Sequence, residues 1–98
     1  MFTSVENRGF QIQFSNGWTI SVQFGPGNYC ERQGLEYDAP LKERVWKSET
    51  AEVAAWDKEG RWYDFDNEVM LETNHTDVTG WVDTNKVAFY IDLISTMS

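Results

Sequence analysis

The chain carries one cysteine, Cys30, and one histidine, His75, the residue types that together make a thiolate nucleophile and its base. Nothing in the sequence supplies the oxyanion donors such chemistry needs. Cys30 ends a glycine-rich bend and His75 sits in the polar run Thr73-Asn74-His75-Thr76-Asp77, so an inert thiol and a surface imidazole are the simpler reading. One Cys and one His provide no short-spaced ligand pair for zinc. The acids of Asp64-Phe65-Asp66-Asn67-Glu68 resemble a calcium loop, but the required glycine and distal glutamate are missing. Among sixteen acids some pair always lies at glycosidase distance, which makes such a pair uninformative. The expectation is no enzyme, no metal and no cofactor.

Binding chemistry is better represented. Phe24-Gly25-Pro26-Gly27-Asn28-Tyr29-Cys30 is a bend whose glycines and proline set the backbone. No Lys-Ser or Lys-Thr follows, so it is not a nucleotide-binding P-loop, although a glycine corner can still offer backbone amides to an anion. The bases and rings after it, Tyr29, Arg32, Tyr37, Lys42, Arg44 and Trp46, are those a nucleotide-sized ligand uses. The expected site therefore has Gly25, Gly27 and Asn28 presenting amides, Tyr29 with Tyr37 or Trp46 stacking, and Arg32, Lys42 and Arg44 supplying charge.

Charge divides the chain into two parts. The net charge of -8 argues against direct nucleic-acid contact and against an anionic membrane, and favours a basic macromolecular partner. From Asp57 to Asp83 there are eight acids (Asp57, Glu59, Asp64, Asp66, Glu68, Glu72, Asp77 and Asp83) and only two bases, Lys58 and Arg61. Fifteen aromatic residues (five Trp, four Tyr, six Phe) in 98 exceed what so small a core needs, which points to aromatic surface at an interface or ligand site. Met1 to Arg8 contains no apolar h-region and no run reaches membrane-spanning length, so a cytoplasmic location is expected. The length fits one domain, residues 1–98.

These residues need elements to position them. Phe10, Ile12 and Phe14, then Trp18, Ile20, Val22 and Phe24, alternate with polar residues on both sides of Ser15-Asn16-Gly17. A three-residue loop, with Gly17 in the left-handed region, pairs Phe14 with Trp18, Ile12 with Ile20 and Phe10 with Val22. Its polar face of Gln, Thr and Ser suits solvent. Residues 25–45 show no period, and a loop of that length in a small domain is commonly functional. A second hairpin is expected from Ala51–Trp56 and Arg61–Phe65 around Lys58-Glu59-Gly60, setting Asp57 against Arg61, Ala55 against Tyr63, Val53 against Phe65 and Trp56 across from Trp62. Val69–Leu71 and Val78–Val82 read as short strands. Asp83 reads as an N-cap, followed by Val87, Tyr90, Ile91 and Ile94 at helical spacing. Phe89 and Leu93 widen that apolar arc. The fold class expected is α+β: an antiparallel sheet built from two hairpins plus short strands, with one C-terminal helix packed on it.

The segments GFQIQFSNGWTISVQFGPGNYC and AEVAAWDKEGRWYDF, within Gly9 to Phe65, resemble small uncharacterised proteins encoded by tailed bacteriophages. The resemblance implies a short accessory protein acting in the cytoplasm of an infected host cell, with counter-defence as its context. It brings no mechanism and no assigned residues. On this basis the chain is expected to be a non-enzymatic binding protein that sequesters a small anionic, nucleotide-like ligand. The alternative is an acidic inhibitor that imitates nucleic acid and blocks a basic host defence protein. A second copy of the chain is a further candidate partner.

Overall fold

The computed structural model describes residues 1–5, 8–25, 28–30 and 47–98. The fold is α+β: a five-stranded antiparallel sheet, a separate two-stranded sheet, and one C-terminal helix packed against the larger sheet. Its elements are β1 (Phe2–Ser4), β2 (Gly9–Gln13), β3 (Thr19–Gln23), β4 (Thr50–Trp56), β5 (Tyr63–Asp64), β6 (Val69–Met70), β7 (Thr79–Asp83) and α1 (Thr84–Ser95). The larger sheet has the order β1-β2-β3-β4-β7, and β5 pairs with β6.

The first hairpin has the expected register. Ile12 faces Ile20, Phe10 faces Val22, and the Phe14 amide donates to the Trp18 carbonyl over 2.8 Å. Gly17 closes the loop at φ +89°, a conformation that glycine adopts without Cβ strain. Asn16 does more than turn the chain. Its Oδ1 accepts the Trp18 amide at 3.0 Å, while Nδ2 donates to the carbonyls of Ile94, Ser95 and Met97 at 2.9, 3.3 and 2.9 Å. Those carbonyls belong to the last turn of α1 and the residues just beyond it, where i→i−4 partners run out, and the Ile94 carbonyl also accepts the Met97 amide at 3.2 Å. A loop side chain from the start of the chain therefore caps the helix at its end.

Asp83 is the N-cap, its Oδ1 accepting the Lys86 amide at 2.8 Å. Tyr90 and Ile94 are buried against Ile20, Val22, Val53, Ala55 and Val82. Ala88, Asp92 and Ser95 face solvent, and so does Phe89, which the spacing placed on the apolar arc but which is 57% exposed. Among the described residues no helix is long and apolar enough to cross a membrane.

Two expectations need correction. The second hairpin exists only at its tip: the Asp57 amide donates to the Arg61 carbonyl at 2.9 Å and Trp56 bridges Trp62, but Tyr63 and Asp64 then leave to pair with Met70 and Val69. The edge of β4 not taken by β3 is filled by β7 instead, with Ala51 against Val82 and Thr50 against Asp83. Tyr63 and Phe65 still reach the core, as the middle of an aromatic series Trp18–Tyr63–Phe65–Tyr90 with centroid separations of 6.3, 5.1 and 4.1 Å. The polar face of the first hairpin is left to solvent only in part, with Gln13 of β2 exposed and Gln11 half-buried. Thr19 and Ser21 are buried because β3 is an interior strand, and Gln23 Nε2 folds back to donate to Ser21 Oγ at 3.0 Å.

Candidate functional site

The bend after β3 lies against the sheet where β4 meets β7. Between the pairs Ala51–Val82 and Val53–Thr79, the single residue Glu52 of β4 is opposed by two residues of β7, Gly80 and Trp81. This is a β-bulge, the device by which a strand re-aims a side chain. Trp81 takes up the irregularity at φ +50°. A non-glycine residue in that left-handed region costs about 1–2 kcal/mol. It persists only when the surroundings fix it.

The fixing contacts come from the bend. The Trp81 amide donates to the Tyr29 carbonyl at 2.8 Å, and the Tyr29 amide donates to Glu52 Oε2 at 2.9 Å. Asn28, which is buried, accepts the Gly25 amide on Oδ1 at 2.9 Å. Its Nδ2 donates to Gln23 Oε1 at 3.2 Å and Glu52 Oε1 at 3.4 Å. At Gly80 a Cβ would lie 2.7 Å from Tyr29 Cβ, so only glycine permits this approach. The outcome is an aromatic pair turned outward: Tyr29 is 49% exposed and Trp81 56%, their centroids 5.7 Å apart at 35°.

Of the sequence-predicted residues, Gly25, Asn28 and Tyr29 are brought together here. Gly27, Arg32, Tyr37, Lys42, Arg44 and Trp46 lie outside the described residues. The exposed ring expected of Tyr29 is present. The amides expected of Gly25 and Asn28 are engaged internally: Gly25 N–H by Asn28 Oδ1 and Asn28 N–H by the Gly25 carbonyl. The carboxylate of Glu52 lies at the Tyr29 amide, with neutral amide donors on both oxygens and no cation paired with it among the described residues, while the stem of Arg8 packs on Gly25. The Gly25 and Asn28 amides are therefore spent within the bend. Cys30 is 1% exposed and its thiol donates to the Gly25 carbonyl at 3.6 Å, while His75 is exposed in the turn after Glu72. No hydrogen bond joins the two among the described residues.

Trp81 was not anticipated as a site residue. The glycine before it was the available signal, because Gly inside a strand marks a bulge or a close backbone approach.

A second concentration of chemistry surrounds the two-stranded sheet. Asp64 Oδ1 accepts the amides of Asp66 and Asn67 at 3.0 Å each, and Oδ2 accepts Asn67 Nδ2 at 2.7 Å. The Asn67 contacts lead in holding the Asp64 carboxyl below its ordinary range. Burial, and then the negative charges of Asp64 and Asp66, push Asp77 the other way. The phenols of Tyr63 and Tyr90 are pushed up by burial first, then by Glu68 and Asp64 in one case and Asp66 and Glu68 in the other. Four carboxylates of the acidic half thus share one region. Lys86 stands at its margin, 5.5 Å from the Tyr90 ring centroid. No group of metal-ligating side chains occurs among the described residues.

At the β4 hairpin tip the charges are matched instead. Asp57 is buried yet accepts the amides of Glu59 and Arg61 at 2.9 Å and the Arg61 guanidinium at 3.0 Å. Burial raises its pKa, but these hydrogen bonds outweigh that and leave the carboxyl below its ordinary value. A groove of about 230 Å³ beside it contains Lys58 and Arg61, the latter already engaged by Asp57 and Glu59.

Compared with protein-family models, with curated proteins and with solved structures, the chain matches none.

Proposed function

We propose that this chain is a non-enzymatic binding protein whose acidic surface docks on a basic protein. The observation that carries the reading is the gathering of Asp64, Asp66, Glu68 and Asp77 around the β5–β6 sheet, close enough that the charges of Asp64 and Asp66 add to burial in raising the Asp77 carboxyl. A cationic partner relieves that repulsion and gains long-range steering. Given the resemblance to phage accessory proteins, the partner is a nucleic-acid-binding or other basic defence protein of a bacterial host, met in its cytoplasm.

Pull-down from bacterial lysate at low and at moderate salt tests the proposal. Basic proteins that are released as salt rises support it, because the Debye length falls to about 8 Å near physiological ionic strength. Partners retained equally at both salts, or not basic, contradict it.

The exposed Tyr29 ring favours a second reading, capture of a small anionic nucleotide-like molecule at the corner, with Arg32, Lys42 and Arg44 as its charge. Thermal shift with a panel of nucleotides separates the two, since a ligand bound only by the folded state raises the melting temperature. Glu52 beside Tyr29 weighs against this second reading.

A further inference from the structure

We infer that Tyr29 and Trp81 form a recognition site for an arginine side chain of the basic partner, an inference that rests on the acidic-docking reading above. Four features coincide at one place in the sheet. The bulge puts Gly80 and Trp81 opposite Glu52, Trp81 holds a left-handed backbone, the Tyr29 carbonyl accepts the Trp81 amide, and the small Gly80 admits the Tyr29 backbone. Each is unfavourable or restrictive for the strand alone. Together they turn two large rings outward, where burial gains nothing from them.

The chemistry selects the occupant. Aromatic faces carry negative potential and attract guanidinium and ammonium groups, tryptophan most strongly. The Glu52 carboxylate, bound by two neutral amides and no cation among the described residues, adds negative charge behind the rings. Asp83, exposed on the same strand, adds more. A phosphate would be repelled by the same groups. Arginine is preferred over lysine because its planar guanidinium stacks on a ring while its edge still donates to a carboxylate. Tyr, Trp and Arg are also the residues that dominate interface energetics.

The test is titration of the isotopically labelled full chain with a short arginine-glycine peptide, with the same peptide carrying citrulline for arginine, and with ATP. The readout is the Trp81 indole N–H resonance in the parent and in Tyr29→Leu, and the Glu52 and Gly80 backbone amide resonances in these two and in Trp81→Asn. The arginine peptide is expected to shift those resonances, with the citrulline peptide and ATP silent, and Trp81→Asn and Tyr29→Leu each weakening binding about tenfold. Unchanged indole resonances of Trp18, Trp56 and Trp62 establish that each variant remains folded, and two variants guard against failure of one. Peptide binding confined to resonances of Asp66, Glu68 and Asp77, and indifferent to both variants, overturns the inference and leaves the acidic-surface reading intact. No binding of the arginine peptide anywhere overturns both. A Trp81 response to ATP and not to the arginine peptide overturns both in favour of nucleotide capture.

Discussion

Two aromatic pairs flank β4, and the molecule treats them in opposite ways. Trp56 and Trp62 stack with centroids 5.0 Å apart at 27°, half-buried, on regular backbone, above a hairpin tip in which Asp57 satisfies two amides and a guanidinium. Tyr29 and Trp81 stand at a similar distance but are exposed, and one of them occupies a left-handed conformation. The first pair stabilises a turn. The second is held in place by a bulge and by hydrogen bonds from the bend, the arrangement that the proposed arginine site requires.

Removing a member of each pair should separate the two roles, and the largest effect is expected at the hairpin. Trp62→Ala deletes a half-buried ring and its stacking partner, a loss of about 3 kcal/mol in urea unfolding. Gly80→Ala comes next. Its Cβ would press on Tyr29, and displacing the bend costs about 1–3 kcal/mol, with loss of the Tyr29–Trp81 contact visible in near-ultraviolet circular dichroism.

Acid should distinguish the pairs as well. Asp57 has a folded pKa below the ordinary 3.8, so its contribution to stability is present above that value and lost as pH falls through the folded one. The Trp56–Trp62 exciton signal should therefore fade in strong acid. Asp77 has the opposite sign. Its folded pKa lies above 3.8, so its contribution is present below that value and lost as pH rises through the folded one. Asp77→Asn should then stabilise the protein at neutral pH, and the gain should vanish in acid. A neutral-pH loss of stability in that variant would contradict the carboxylate crowding on which the docking surface depends.

What could be read in advance follows the range of the interactions. The first hairpin was legible because apolar alternation and a three-residue loop leave one register that keeps Phe10, Ile12, Ile20 and Val22 on one face. The helix was legible from Asp83 and the spacing of Val87, Tyr90, Ile91 and Ile94. The partner of β4 was not. Arg61–Phe65 carries an alternation compatible with continued pairing, and only tertiary competition sends it to β6 while β7 takes the vacant edge. Nor was β1, whose Phe2–Ser4 is short and exposed. The capping of α1 by Asn16 spans most of the chain, beyond any local signal. At the corner, glycine and aromatic content announced a built bend, but the destination of the Tyr29 amide depended on Glu52, a residue of a strand that looked merely alternating. The cations proposed for it lie outside the described residues.

The central claim is that Trp81 is displayed for a partner and contributes little to holding the fold. Urea unfolding of Trp81→Asn tests it most directly, because asparagine tolerates the left-handed backbone and relief of strain offsets the lost ring contact. The expected result is a stability within about 1 kcal/mol of the parent. A loss comparable to that of Trp62→Ala, about 3 kcal/mol, would make the Tyr29–Trp81 pair a structural element and contradict the account.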